Sequence, residues 1–218
     1  PSLLATAGVH HHLIREGTRT KVGLVVESGE PREVSHFALL FGYGAAAVNG
    51  YLVLETVDEL ADGDPLLDGI DRDTAERNFV KAVHKGVVKV MSKMGISTLQ
   101  SYRGAQIFEA VGLSQEFIDR YFIWTPSRIG GIGIAEIEEE SRRRHAFAYL
   151  EMKAPGAQPF KAGGMYQWRY DGEYHMWNPD SIAKVQYAAK ANDHDAFREF
   201  TDLIDAESRR LSTIRGLL

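Results

Sequence analysis

Three consecutive histidines are the most conspicuous candidate metal ligands in the sequence: His10, His11 and His12. Consecutive residues of a helix point about 100° apart, so three in a row cannot converge on one ion, and ligands on one face need i, i+4 spacing. Two of the three could still bind a metal if Glu27 or His36 supplied further ligands. Since nothing in the spacing selects a metal, we favour a structural interpretation. In it, one imidazole packs against a sheet, one forms a hydrogen bond and one is solvated.

A carboxylate, Glu27, ends a short valine-rich run, and the turn Ser28-Gly29-Glu30 comes directly after it. The carboxyl ends of parallel strands are where α/β proteins place ligands, so Glu27 could act as a base or bind a substrate ammonium group. The alternative is structural: Glu27 caps the next helix or pairs with Arg32, and Gly29 provides backbone freedom. No acid, base or nucleophile is fixed nearby by the sequence, so we favour the structural alternative.

A glycine run and two arginines could bind an anion. Gly130-Gly131-Ile132-Gly133 is predicted to open a helix, whose free N–H groups could cradle a phosphate. The run lacks the spacing of G-x-G-x-x-G and of the P-loop, so we favour close backbone packing as its explanation. Arg103 and Arg128 each stand near glycine and could grip a carboxylate or phosphate, although pairing with one of the many acids is commoner.

An aromatic cluster near the end of the chain could form a stacking platform for a base or a flavin. Its members are Trp168, Tyr170, Tyr174 and Trp177. Aromatic side chains on a hairpin more often cover the edge of a neighbouring domain. No Ser-His-Asp, G-x-S-x-G, H-E-x-x-H or paired-carboxylate pattern is readable, so the sequence assigns no catalytic, cofactor-binding or metal residue.

Composition excludes several classes of function. The chain has 218 residues, a formal net charge of −5 and no cysteine. The acidic balance argues against a nucleic-acid partner, and no apolar run approaches the roughly 20 residues that span a bilayer, so we expect no membrane partner. Without thiolates there can be no disulfide, no Cys-ligated zinc and no iron–sulfur cluster. The chain starts at Pro1 without an initiator Met, and we expect it to be a segment of a longer polypeptide.

The candidate residues up to Arg128 are positioned by a predicted α/β domain over residues 1–150. A valine-rich strand, a helix and a second strand, over 21–27, 32–41 and 45–48, make a βαβ unit with parallel strands. Further helices are predicted over 2–15, 51–60, 73–94, 108–111, 117–122 and 134–149, with a strand over 96–99.

A smaller extension is predicted over residues 151–218. Prolines and glycines break the chain after Ala154, and Tyr166 to Tyr174 alternates aromatic residues around Asp171-Gly172, which is typical of a two-stranded β-hairpin. Helices over 179–190 and from 193 or 194 to 210 follow.

Several runs of the chain, in order and at the family's approximate spacing, resemble the large subunit of glutamate synthase. They are VVKVMSKMGISTLQSYRGAQIFEAVGL (87–113), AGVHHHLIR (7–15), VGLVVESGE (22–30), SRIGGIG (127–133) and HMWNPDSI (175–182). The resemblance implies the later part of the family's central domain, up to the start of the FMN-binding barrel. It also suggests a fold similar to half a (β/α)-barrel, because strand, turn, helix and strand precede a helix ending at Met94-Gly95-Ile96.

The resemblance implies an enzyme that makes L-glutamate from L-glutamine and 2-oxoglutarate, with ammonia passing internally from an amidotransferase domain to an FMN-binding domain. FMN and a 3Fe-4S cluster are implied for the parent enzyme and not for this segment. NADPH through a small subunit, or ferredoxin, would supply the electrons, in the cytoplasm or a plastid. The segment would be a structural coupling element without an active site of its own. The alternative is a free-standing, barrel-like α/β enzyme with a ligand site near Glu27.

Overall fold

The structure is a computed structural model that describes residues 1–64, 69–151, 163, 166–210 and 213–217. It divides into two compact units, Pro1–Tyr149 and Leu150–Leu218. The predicted break at Pro155-Gly156 and Pro159 lies outside the described residues. None of the described helices is both long and apolar enough to cross a membrane.

The first unit is a mixed α/β structure. Its helices are α1 (Ser2–Arg15), α2 (Val34–Gly42), α3 (Tyr51–Gly63), α4 (Arg72–Lys93), α5 (Leu99–Tyr102), α6 (Gln115–Tyr121) and α7 (Ile134–Ala146). Its strands are β1 (Val25–Glu27), β2 (Ala47–Asn49), β3 (Ala110–Leu113) and β4 (Ser127–Ile132). A short 3-10 helix covers Arg19–Lys21, and a π-helical turn covers Phe147–Glu151.

The predicted βαβ unit is confirmed. Strands β1 and β2 pair in parallel, with Val26 opposite Val48, and α2 connects them. The first strand is shorter than predicted, because residues 19–21 form the 3-10 helix and the extended segment pairs only from Val25.

Two element predictions after α4 are wrong. The strand predicted over 96–99 is absent, because the Thr98 hydroxyl accepts a hydrogen bond from the Ser101 N–H at 3.3 Å and starts helix α5 there. The helix predicted over 108–111 is replaced by β3, which pairs in parallel with β4 through an irregular register. Gly112 adopts a φ of +76°, which ends any helical path at that point.

The half-barrel is not confirmed. A barrel needs one continuous sheet, whereas the strands of the described residues form two separate pairs, β1 with β2 and β3 with β4. The structure confirms the mixed α/β class, with two short pairs of parallel strands in the described residues.

Two hydrophobic clusters hold the first unit together. One joins α2, α4 and α5 through Phe37, Val83, Val87, Met91 and Tyr102. The fully buried Tyr102 donates its hydroxyl to the Ala38 carbonyl at 2.9 Å, which satisfies its one polar atom. The other joins α1 and α6 through Ala7, Phe117, Ile118 and Phe122.

The second unit is helical, with α8 (Pro179–Ala191), α9 (His194–Arg210) and α10 (Ile214–Leu217). The Asn178 side chain accepts hydrogen bonds from the N–H groups of Asp180 and Ser181, both at 3.0 Å, and thereby caps α8. The helices predicted over 179–190 and from 193 or 194 to 210 are confirmed.

The hairpin predicted over 166–174 is wrong for these residues. The turn is present, since Asp171 has a φ of +58° and Gly172 N–H donates to Arg169 O at 3.0 Å, but no strand flanks it. Tyr174, the last aromatic residue of the predicted hairpin, packs on helix α9 instead, and so does the nearby Trp177. Tyr174 lies 4.2 Å beneath the Arg210 guanidinium, and Trp177 lies 6.1 Å from Phe200.

Candidate functional site

A cavity of about 370 Å³ lies between the C-terminal half of α1 and two loops of the first unit. We call it the basic cavity. It is lined by His10, His11, Ile14, Arg15, Gly42, Tyr43, Arg103, Gly104, Ala105, Gln106, Ile107, Phe108, Ile123, Trp124 and Thr125. The lining contains two arginines, two histidines and no acid, although the chain carries a net charge of −5.

His10 is fixed by an arginine that the sequence analysis did not single out. Arg19 donates from Nε to His10 Nδ1 at 2.8 Å and from Nη2 to the Gly44 carbonyl at 2.8 Å. Gly44 has a φ of +115°, and a Cβ there would overlap the His10 ring. Burial, and then the neighbouring His11, Arg19 and Arg103, lower the pKa of His10 to about 4. His10 is therefore neutral at pH 7 and its Nδ1 is occupied.

The other two histidines differ from His10. His11 lines the basic cavity and packs edge to face on His10 with centroids 5.1 Å apart, and its pKa is lowered by burial and then by Arg15. His12 is exposed to solvent. Among the described residues, no group of three or more His, Cys, Asp or Glu is arranged to hold a metal ion. The metal hypothesis therefore has no geometric support in this part of the chain.

The two arginines that looked alike in the sequence have different surroundings. Arg128 is almost fully exposed, at 89% of its side chain, and its Nε lies 3.7 Å from a Glu109 carboxylate oxygen. Arg103 lines the basic cavity with Nε buried, and that atom has no hydrogen-bond partner among the described residues. A buried donor without a partner costs about 1–3 kcal/mol, and more when it is charged.

Part of the wall of the basic cavity is aromatic. Tyr43 stacks on Phe108 at 5.7 Å and meets Phe122 edge to face at 5.2 Å. Its hydroxyl lies 2.7 Å from the Thr125 hydroxyl, and burial raises the pKa of Tyr43 despite that bond. Sequence reasoning missed Tyr43 and Thr125, which reach the cavity from parts of the chain distant from α1, and Arg19, which binds His10.

A second cavity, of about 680 Å³, lies beside the N-terminal half of α1 and the end of β1. We call it the acidic cavity, and its lining includes Glu27, Ser28, Gly29, Glu30 and Tyr51. Glu27 is exposed and its carboxylate makes no hydrogen bond or ion pair within the described part of the chain, so neither the cap nor the Arg32 pair proposed for it is present. Glu30 accepts the Ser2 N–H at 2.7 Å.

His36, the other proposed ligand, is placed at the start of α2 and away from the three histidines. Its Nδ1 accepts the N–H groups of Arg32 and Glu33, at 3.2 and 3.3 Å. These are donors that a helix N-terminus leaves without intrahelical partners, so His36 has a capping role.

The glycine run leads into a helix as predicted, since Gly133 is the N-cap of α7, but the N–H of Gly133 donates to the Glu136 carboxylate at 2.8 Å. Gly130 and Gly131 lie inside β4, and a Cβ on Gly131 would overlap the backbone of Gly112 in β3. Close strand packing therefore accounts for Gly131. Because the chain contains no cysteine, it has no thiolates to hold an iron–sulfur cluster.

In the second unit, the aromatic cluster is partly exposed. Trp168, Tyr170, Tyr174 and Trp177 have 43%, 80%, 47% and 60% of their surfaces accessible. Tyr174 also accepts a hydrogen bond from Asn178 Nδ2 at 3.1 Å, so it is committed to the cap of α8. The cluster does not form two parallel faces between which a flat ligand could stack, since Tyr174 and Trp177 each contact α9.

Comparison with known proteins gives consistent matches. A family model described as the glutamate synthase central domain matches residues 1–114. The chain is 49% identical over 217 residues to the glutamate synthase [NADPH] large chain of Bacillus subtilis, which covers 100% of this chain and 14% of that protein. It is 41% identical over 217 residues to the glutamate synthase [NADH] of Schizosaccharomyces pombe, covering 100% of this chain and 10% of that protein.

A third match has a different electron donor in its name. The ferredoxin-dependent glutamate synthase 2 of Synechocystis is 43% identical over 199 residues, covering 88% of this chain and 12% of that protein. The chain thus spans between 10% and 14% of the length of these relatives.

Proposed function

This chain belongs to the glutamate synthase family, as a segment that includes central-domain sequence, and we propose that it couples the amidotransferase and FMN-binding parts of its parent enzyme. The parent would convert L-glutamine and 2-oxoglutarate into L-glutamate. The segment itself contributes position and enclosure, with no catalytic residue of its own.

The observation that carries this proposal is that the segment is shared by relatives whose names give three different electron donors, NADPH, NADH and ferredoxin. A segment that recognised the donor would be expected to differ most between these classes. Its similarity across them favours a role in a step that all of them share. Transfer of ammonia between the two half-reactions is such a step.

Exposed apolar faces on the two strand pairs support packing against neighbouring domains. Val25 of β1 is 73% exposed, and Val111 of β3 and Ile129 of β4 are 67% and 60% exposed. Parallel strands are normally covered on both faces, so these surfaces fit an element enclosed by other parts of a larger protein. The amidotransferase and FMN-binding domains of the same polypeptide are the proposed neighbours, with a small subunit or ferredoxin as the external partner.

Enclosure matters chemically because ammonia that escapes to water is protonated and lost as a nucleophile. The proposed contribution of this segment is to keep water out of the route between the two sites and to hold them at a fixed separation. The parent enzyme would act in the cytoplasm, or in a plastid in photosynthetic eukaryotes.

We also propose that residues 1–150 form the central-domain portion and that residues 151–218 lead towards the FMN-binding domain. The parallel βαβ unit supports a distant relation to half a (β/α)-barrel, since barrels are built by repeating that unit. The helices of the second unit support a helical extension.

The experiment uses a full-length glutamate synthase that carries this segment with Val111→Glu, and Val111→Thr as the matched control of similar shape. It measures glutamine hydrolysed per 2-oxoglutarate consumed. We expect a ratio near one for the parent and the Thr variant, and a ratio of about two or more for the Glu variant, because a charge at the packed face admits water. An unchanged ratio in the Glu variant would contradict the coupling role.

A flavin site in the isolated segment is tested separately. FMN fluorescence is expected to stay unchanged when the 218-residue chain is added. Saturable quenching would favour the alternative of a free-standing enzyme with its own ligand site.

A further inference from the structure

We propose that the basic cavity is a carboxylate-binding site in which the Arg103 guanidinium holds a single negatively charged group. The inference goes beyond the coupling role and does not depend on it, since it concerns what the cavity binds in the segment itself.

Charge balance is the first argument. Several arginines of the first unit meet acids: Arg128 lies beside Glu109, Arg142 beside Glu138 and Arg143 beside Glu139. Arg103 has no such partner among the described residues, and the lining of the basic cavity contains no Asp or Glu. A cation placed in an acid-free cavity of an acidic protein is complementary to an anion from outside.

Desolvation is the second argument. Arg103 Nε is out of contact with solvent and makes no hydrogen bond within the described residues. Nearly all buried donors of native proteins have a partner, so an unsatisfied one in a cavity wall indicates a place where an acceptor belongs. Because Arg103 lines the basic cavity, we place the missing acceptor in that cavity.

The charge of the occupant follows from the neighbouring groups. His10 is neutral at pH 7 because its pKa is about 4, and its Nδ1 already accepts the Arg19 bond. Arg15 is exposed to solvent. The remaining guanidinium is that of Arg103, whose Nε is buried. Its planar fork matches a carboxylate, whereas a phosphate dianion would need more charge.

The shape of the cavity indicates a short apolar tail on the carboxylate. Ile14, Ile107 and Phe108 contribute apolar wall to a volume of about 370 Å³, which is at the lower end of the usual range for small-molecule sites. The Tyr43 and Thr125 hydroxyls, 2.7 Å apart, can turn towards a second acceptor.

Backbone strain at the rim agrees with a binding role. Gln106 and Trp124 both adopt positive φ, at +54° and +65°, and both line the cavity. Non-glycine residues in this region are uncommon and cluster at ligand sites, where surrounding contacts hold them.

The test is saturation-transfer difference NMR on the 218-residue chain with butyrate, and with butanol and inorganic phosphate as comparison ligands. Butyrate is expected to bind with a dissociation constant on the order of 1 mM, as a single charge-assisted contact allows. Butanol and phosphate are expected to bind at least about tenfold more weakly. Equal signals from butyrate and butanol would overturn the assignment, since the tail alone would then bind.

Two variants and one control locate the site. Arg103→Gln should weaken butyrate binding about tenfold or more, and Arg128→Gln should leave it unchanged. Gln106→Glu keeps size and backbone while placing a competing carboxylate at the rim, and it should weaken binding even if Arg103→Gln fails to fold. Butyrate binding that survives both variants would falsify the proposal.

The carboxylate could come from a free small molecule or from an acidic side chain of another domain, and the full-length enzyme distinguishes them. A butyrate signal in the full-length enzyme that Arg103→Gln abolishes supports a free ligand. A site that binds butyrate in the segment but is closed to it in the full-length enzyme supports a side chain. The uncoupling ratio of Val111→Glu is a separate readout, so either proposal can fail alone.

Discussion

The two cavities that border helix α1 differ in how their charged groups are satisfied. At the N-terminal half, Glu30 of the acidic cavity accepts a backbone N–H of Ser2, and Glu27 is open to water. At the C-terminal half, Arg103 of the basic cavity keeps a buried Nε without a partner. The negative charge of Glu30 and the positive charge of Arg103 both suit the dipole of α1, because a helix dipole favours acids near its start and bases near its end.

The difference teaches that a charged residue at a plausible position is weak evidence for function by itself. Glu27 follows a strand, as ligand-binding residues often do, yet nothing around it is arranged for chemistry. The position of Arg103 in the sequence is less typical of a ligand site, but its buried Nε has no hydrogen-bond acceptor among the described residues. Desolvation without a partner distinguishes the two cavities better than charge or volume.

The largest expected effect comes from filling the space that the His10 ring occupies. Gly44→Ala should lower the free energy of unfolding by about 3 kcal/mol, because it combines a disfavoured φ of +115° with overlap on the His10 ring. Gly17→Ala is the matched control, since Gly17 has a φ of +65° with open space around its Cβ, and should cost only about 1 kcal/mol. Urea unfolding of both variants checks this, and equal losses would contradict the overlap argument.

Lowering the pH should reduce the free energy of unfolding through the protonation of His10. Its pKa is about 4 in the folded chain and near 6.5 when unfolded, so the unfolded chain binds more protons between these values. The stabilising contribution is therefore complete above about pH 6.5 and is lost as the pH falls towards about 4. Solvent screening reduces the effect to about 1 kcal/mol.

The measurement compares unfolding at pH 7 and pH 4.5 for the parent and His10→Gln, which removes this titration. His11 and Arg15 on α1, with Arg19 and Arg103 facing the ring, remain in both proteins. The parent should lose more stability than the variant on acidification. Equal losses would show that His10 does not titrate as proposed.

Removing the unsatisfied charge should stabilise the isolated segment. Arg103→Met keeps the apolar stem and removes the buried donor, so we expect a gain of about 1 kcal/mol in the free energy of unfolding. Arg128→Met, whose arginine is exposed, is expected to change little. A large loss in the Arg103 variant would mean that the guanidinium is satisfied within the folded chain.

The smallest effect is expected in the acidic cavity. Glu30→Ala removes the acceptor of the Ser2 N–H, an exposed contact at the start of α1, and should cost about 0.5 kcal/mol. Glu27→Ala, at a residue without such a contact, serves as its control and should leave thermal unfolding unchanged. A cost for Glu27→Ala as large as that for Gly44→Ala would remove the distinction between the cavities.

Much of the first unit could be predicted from local pattern. The valine-rich run and the glycines around α2 were sufficient for the βαβ unit, and the apolar spacing from Phe79 to Met91 for α4. The β3–β4 pair was missed because Gly112 and Gly131 resemble helix-breaking glycines, while their real role is to let two strands approach.

The site and the hairpin depended on partners that local pattern does not reveal. Alternating Tyr and Trp predicted two strands, but Tyr174 and the nearby Trp177 contact α9, at Arg210 and Phe200, which lie 36 and 23 residues further along the chain. The hydrogen bond from Arg19 to His10 requires the chain to reverse its direction at Gly17. Arg103 and Arg128 could not be distinguished at all until burial was known.

Helix α4 has 22 residues, so its axis is about 33 Å long. It packs against α2 and α3, and its last buried turn shares a cluster with Tyr102, the residue before Arg103. A substitution that displaced the C-terminal turns of α4 would therefore disturb the packing of Tyr102 and the placement of the residue that follows it.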